Sequence, residues 1–174
     1  MVAGWRRATW LSAEGEIEAL APEEVAARAA ESPPLVCHAP ASARRLGIAA
    51  FPALDLLELF AFVRPGQFVA PTPRALAVAL SLEPPADAEA GCASLIRCAA
   101  ALLSELVHDA APERAAALAS EMARGGWRWG PAVLQALGAK TASAASERKA
   151  VAVWDRLPNW RDQIEHNDQS AIAV

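Results

Sequence analysis

Pro33-Pro34 on one side and Pro40 on the other enclose the apolar run Leu35-Val36-Cys37-His38. Proline cannot continue a helix interior and pushes the residue before it toward extended backbone. A run this short between prolines has no room for a capped helix, so it is expected to be a buried strand. The segments around it carry helix signals. Pro22-Glu23-Glu24 opens a helix to about Glu31, with proline in the first turn and acids at the positive end of the dipole. A small helix over 41–46 ends at Gly47, and Thr72-Pro73 starts another over 73–81. Residues 87–109 form a long helix with Leu95, Leu102, Leu103 and Leu106 on one stripe. Residues 112–123 form the next, Gly125-Gly126 breaks it, and a short helix runs on to Leu137. Residues 7–12 and 16–20 read as two short strands around Glu14-Gly15. The expectation is an α/β fold: a small three- to four-stranded sheet packed by several helices, with a helix-rich C-terminal half.

The 174 residues suit one domain, placed at 1–158, with a polar tail or linker start over 159–174. Residues 138–150 read as a loop, and Trp154 and Leu157-Pro158 are expected to dock on the core. A hydrophobic fraction of 54% against 21% charged is globular and not disordered. Much of that apolar content is alanine, and Lys140 and Lys149 are the only lysines, a pattern of GC-rich bacterial coding sequence. The net charge of −4 lacks the basic footprint of a protein that binds duplex DNA tightly alone, leaving room for a local basic patch. The three cysteines, Cys37, Cys92 and Cys98, fit no disulfide framework or zinc spacing and read as buried thiols in a reducing compartment. No apolar run is expected to approach the ~20 residues of a membrane span. Acidic residues follow Trp5-Arg6-Arg7 from Glu14 onward, where a signal peptide would be apolar. The reading is cytoplasmic, with no membrane partner.

Four groups invite chemistry. Gly138-Ala139-Lys140-Thr141 lacks the glycine–lysine adjacency and leading strand of a phosphate loop, and reads as a helix C-cap followed by a polar loop. Cys37 and His38 are neighbours on a strand and point to opposite faces, so they do not readily contact each other, and they read as a buried cysteine and a histidine at a strand end. Asp55 and Glu58 interrupt the apolar stretch Leu54 to Val63. On a helix they share a side and could hold a metal; alternatively Asp55 is an N-cap with Glu58 reaching back to the backbone amide, which is the favoured reading. Trp127, Arg128 and Trp129 could stack on single-stranded bases, or anchor in the core, with packing favoured.

Several longer stretches resemble one family. Pro34-Leu35-Val36-Cys37-His38-Ala39-Pro40, Ala43-Arg44-Arg45-Leu46-Gly47, Leu54 through Phe62, and Pro71-Thr72-Pro73-Arg74 resemble the N-terminal region of alphaproteobacterial DinG-like ATP-dependent DNA helicases. Gly126 through Leu134 and Val153 through Trp160 are similar to that family's approach to its motor domain. The resemblance covers most of residues 8–160 and is most specific from Leu54 to Arg74. It implies a degenerate 3′–5′ exonuclease scaffold of the ribonuclease H-like class. His38 stands where such enzymes carry a His-Asn at a strand end, and Asp55 matches a common non-catalytic aspartate before the next helix. Ala43 stands where the next helix would carry a metal-binding aspartate. Ala90, Gly91 and Leu95 occupy the region of a histidine and an aspartate, and no Asp-x-Glu strand opens the chain.

The resemblance therefore implies a non-catalytic front module that places DNA or braces a helicase motor. ATP and magnesium belong to that motor and not to these residues. No catalytic, cofactor or metal residue is assigned. Weak single-stranded DNA contact is expected through Arg44, Arg45, Arg124, Arg128, Trp127 and Trp129. A stand-alone protein-interaction domain is the second reading, and a metal-dependent nuclease-like enzyme using Asp55, Glu58 and His38 is the third.

Overall fold

The computed structural model describes residues 1–108 and 112–138. The expected 138–150 loop beyond Gly138, the docking of Trp154 and Leu157-Pro158, and the tail lie outside them. The fold is α/β and helix-rich.

Three antiparallel strands open the chain: β1 (Val2–Ala3), β2 (Ala8–Leu11) and β3 (Ile17–Leu20). The β2–β3 turn is built by Ser12, whose hydroxyl accepts the Glu14 and Glu16 amides, both at 3.2 Å. α1 (Pro22–Glu31) follows with the expected bounds. The Glu24 carboxylate reaches back to the Ala21 amide at 2.7 Å, satisfying a donor that the helix cannot. β4 (Leu35–Val36) pairs in parallel with β5 (Leu54–Asp55), in the register Leu35 to Leu54 and Val36 to Asp55. α2 (Ala39–Leu46) connects them and ends on Gly47 at φ +72, the left-handed conformation that glycine adopts without steric cost. The Met1 ammonium donates to the Leu35 carbonyl at 2.7 Å, which brings the β1 side of the first sheet to β4.

The small sheet expected is present with three strands, and a separate two-stranded sheet accompanies it. Among the described residues, five strands of two to four residues form a three-stranded antiparallel and a two-stranded parallel sheet. β1 is too short to show any alternation. β5 was hidden because strand and helix share one apolar run, with the backbone switching at Asp55. The small helix also starts earlier than expected, at Ala39, because Pro40 sits in its first turn, where a missing N–H is harmless.

The remaining helices are α3 (Leu56–Val63), α4 (Pro73–Ala79), α5 (Ala88–Val107), α6 (Pro112–Arg124) and α7 (Gly130–Ala136). Thr72 caps α4 by accepting the Ala75 amide at 3.2 Å, and Asp87 caps α5 by accepting the Ala90 amide at 2.8 Å. α5 is the hub, packing against β1, β2, β4, α3, α4, α6 and α7. By length and composition alone it could cross a membrane, with mean hydropathy 1.5 over its window, contrary to the expectation that no such run exists. Its Leu95, Cys98, Leu102 and Leu106 are buried within the main core with Leu56, Leu59, Phe60, Leu76, Trp129 and Val133. A second cluster of Trp10, Leu20, Val25, Val36 and Leu46 lies between the sheets, α1 and α2.

Candidate functional site

Asp55 organises the centre of the molecule. It is buried, 4% exposed, at the end of β5. Its Oδ1 accepts the Leu57 amide at 2.9 Å, as the N-cap of α3. Its Oδ2 accepts the Ala39 amide at 2.7 Å, at the first residue of α2. The parallel pairing of β4 and β5 places both helix starts at the same sheet end, so one carboxylate serves two positive helix termini. The Asp55 carbonyl in turn accepts the buried Trp129 indole N–H at 2.6 Å.

The capping reading of Asp55 thus holds and extends to a second helix. The reciprocal bond from Glu58 to the Asp55 amide does not occur among the described residues. Glu58 is exposed and turned toward Trp127, whose indole N–H favours its charged form while stopping short of a hydrogen bond. Desolvation, followed by repulsion from Asp55, outweighs this and raises the Glu58 carboxyl above its ordinary range.

Beside this pair lies an open groove of about 570 Å³, lined by Ala39, Phe51, Asp55, Glu58, Met122, Trp127 and Arg128, among others. The fold therefore brings together two groups that sequence spacing keeps far apart: the acids at the start of α3 and the aromatic–arginine turn between α6 and α7. The six expected nucleic-acid residues fall into two sets. Arg124, Trp127, Arg128 and Trp129 cluster at the α6–α7 turn, and Arg44 and Arg45 lie exposed at the far end of α2.

Trp129 is corrected. It is 4% exposed, packed in the main core and bonded to Asp55, so it has no face for a base. The two tryptophans do not share an extended face, because the segment turns: Trp129 has φ −76 and ψ −16. Trp127 is half-buried against Phe62, with ring centroids 4.9 Å apart. Arg124 pairs with Glu121. Arg128 is exposed at the groove edge.

His38 is the N-cap residue of α2, and its carbonyl accepts the Ser42 amide and hydroxyl at 3.0 and 2.9 Å. Its Nδ1 is buried without a hydrogen-bond partner among the described residues. It borders a crevice of about 20 Å³ with Met1, Ser42, Arg45 and Pro73, room for a single water. Cys37 is buried beside it in the core, its thiol pushed up to about 12 by desolvation and then by the Asp55 charge. Such a thiol is not a nucleophile near neutral pH.

Among the described residues, no three His, Cys, Asp or Glu side chains gather as a metal site would require. The positions where the helicase-like resemblance calls for ligands carry no polar side chain, and Ala90 is half-buried. Ala43 and Leu95 are buried, and a Cβ on Gly91 would meet Val2 Cγ2 at 3.1 Å. No protein-family model, curated protein or solved structure matches the chain.

Proposed function

We propose that the chain is a non-catalytic accessory module of the DinG-like helicase kind, built on a degenerate ribonuclease H-like scaffold, that places single-stranded DNA or braces a motor. The observation that carries this reading is the state of Asp55. Two-metal phosphodiester chemistry needs several carboxylates converging on ions ~4 Å apart. Here the one buried carboxylate at the sheet end accepts two backbone amides, at 2.7 and 2.9 Å. The order of elements also supports the scaffold: three antiparallel strands, a helix, then a parallel strand pair joined to β1 through Met1 and Leu35. Scaffold without ligands is what remains when such a fold keeps its shape and loses its reaction.

The test compares ATP-dependent unwinding by a DinG-like motor with and without this chain fused at its N-terminus. Faster or more processive unwinding in the fusion supports the reading, and equal unwinding rejects it. The protein-interaction reading draws on the groove, where Phe51, Met122 and Trp127 give apolar surface beside Glu58 and Arg128. The metal-dependent reading has the least support, because Asp55 is engaged by the backbone and, among the described residues, Glu58 and His38 do not converge with it on one metal position.

A further inference from the structure

The turn between β1 and β2 is held in one strained shape. Gly4 N–H donates to the Arg7 carbonyl at 2.9 Å, and Arg6 N–H donates to the Arg45 carbonyl at 3.2 Å, in the last turn of α2. Arg45 returns the tie, its Nη1 donating to the Ala3 carbonyl at 3.4 Å. Arg6 takes φ +56, a left-handed conformation that favours glycine and persists at other residues only where the surroundings enforce it. The outcome is a surface to which two elements contribute: Arg6 and Arg7 from the turn, Arg44 and Arg45 from α2. Trp5 stands out of it at 80% exposure. All four arginines are exposed, and among the described residues none of them pairs with a carboxylate.

Arginines in the last turn of a helix suit its dipole, which accounts for Arg44 and Arg45 alone. It does not account for a strained turn from another element that adds two more guanidinium groups and an exposed indole. We propose that Trp5, Arg6, Arg7, Arg44 and Arg45 form a contact surface for single-stranded nucleic acid. The guanidinium groups meet successive phosphates and the Trp5 indole stacks on a base. This rests on the accessory reading above and gives it a place on the molecule. Guanidinium forks match phosphate oxygens, and an indole face accepts any base, so the surface reads backbone and not sequence. A lipid surface fits less well. Trp5 is the sole large apolar side chain exposed in this turn, and the other exposed ones, Ile17, Phe68, Val78, Ile96 and Val107, belong to other segments. With a net charge of −4 the chain gives no overall attraction, so binding depends on a local patch and is weak and sensitive to salt.

The test is fluorescence anisotropy of the whole chain with a labelled oligo-dT of about 20 nucleotides over a range of salt. Near-ultraviolet circular dichroism checks each variant for folding. Arg44→Ala with Arg45→Ala should weaken binding at low salt and flatten the log–log salt slope by about 0.7 for each phosphate contact removed. Arg6→Gly should do the same for one contact while relieving the strained φ, and its circular dichroism separates lost binding from lost fold. Trp5→Ala should weaken binding about tenfold and leave the salt slope unchanged. Arg44→Lys with Arg45→Lys should keep the slope.

Unchanged binding in all the alanine and glycine variants overturns the proposal. If Arg128→Ala alone abolishes binding, the contact lies at the groove; the accessory reading survives and this surface does not. Binding to phosphatidylserine vesicles with none to oligo-dT would assign the patch to a membrane. Failure of the wild type to bind oligo-dT at low salt rejects this surface, while the unwinding comparison still decides the accessory reading.

Discussion

The Trp129 indole donates to the backbone carbonyl of Asp55 at 2.6 Å, across 74 residues of sequence. This bond ties the α6–α7 turn to the strand end where α2 and α3 begin. Trp129→Phe keeps the ring packing and removes the donor, leaving a buried carbonyl unpaired. It should cost about 1–3 kcal/mol, read as a lower urea midpoint with unchanged slope.

Asp55→Ala should be costlier, because the part-buried Ala39 amide loses its acceptor and the Leu57 amide keeps only the Cys37 carbonyl, at 3.1 Å. A loss of about 2–4 kcal/mol is expected from the lost α3 cap and the unpaired Ala39 donor. Asp55→Asn should fall between, since only one of its two terminal atoms accepts. If Asp55→Ala unfolds at the wild-type urea midpoint, the carboxylate is held for something other than these two helices.

These two residues show how far the sequence can be read. The capping role of Asp55 follows from an acid at the start of an apolar helical run. Its second partner, the Ala39 amide, was out of reach because it depends on the parallel register of β4 and β5, and β5 spans only two residues. The indoles divide the same way. Trp127 and Trp129 read alike in sequence, as anchors or stackers, yet only tertiary packing decides that one is buried and the other borders the groove. Helices with caps or long apolar stripes, α1 and α5 above all, were legible from local chemistry. The surface around Arg6 was not, because it needs a turn docked on a helix about 40 residues away.

Glu58 should give the protein a specific pH response. Partial desolvation beside the groove, and then the Asp55 charge, raise its folded-state carboxyl above the ordinary 4.5, so the folded state holds this proton more tightly than the unfolded chain. Stability from this group is therefore greatest below the unfolded value and declines as pH rises through the folded one. Glu58→Gln should remove that decline. Thermal melts of wild type and variant should differ more at neutral pH than at pH near 4, with the variant the more stable at neutral pH. A wild type that gains from Glu58 as pH rises would contradict the geometry.

The thiols should be inert in the native state. Cys37, Cys92 and Cys98 are all buried and unpaired as disulfides, and burial raises Cys37 to about 12 and Cys98 above its ordinary value. Iodoacetamide at pH 8 should label none of them in native protein and all of them in urea, read by intact mass. Rapid native labelling of Cys37 would mean that the core around β4 opens.

Gly130 should tolerate no side chain. A Cβ there would sit 2.4 Å from Ala123 Cβ and 3.3 Å from the Ala119 carbonyl, where α7 crosses α6. Gly130→Ala must therefore separate the two helices, and a cost of about 1–3 kcal/mol is expected from overpacking, measured by urea unfolding. Ala123→Gly in the same chain should recover part of it.

The central position of α5 sets the order in which the molecule comes apart. It touches both sheets and α3, α4, α6 and α7, whereas α1 leans on the smaller cluster through Val25 and the Glu18–Arg28 pair. No local fluctuation can free the middle of α5, since every neighbour would have to leave first. In deuterated solvent the amides around Leu95 to Leu102 should be the last to exchange, their protection tracking the global unfolding free energy, while those of α1 exchange through smaller openings.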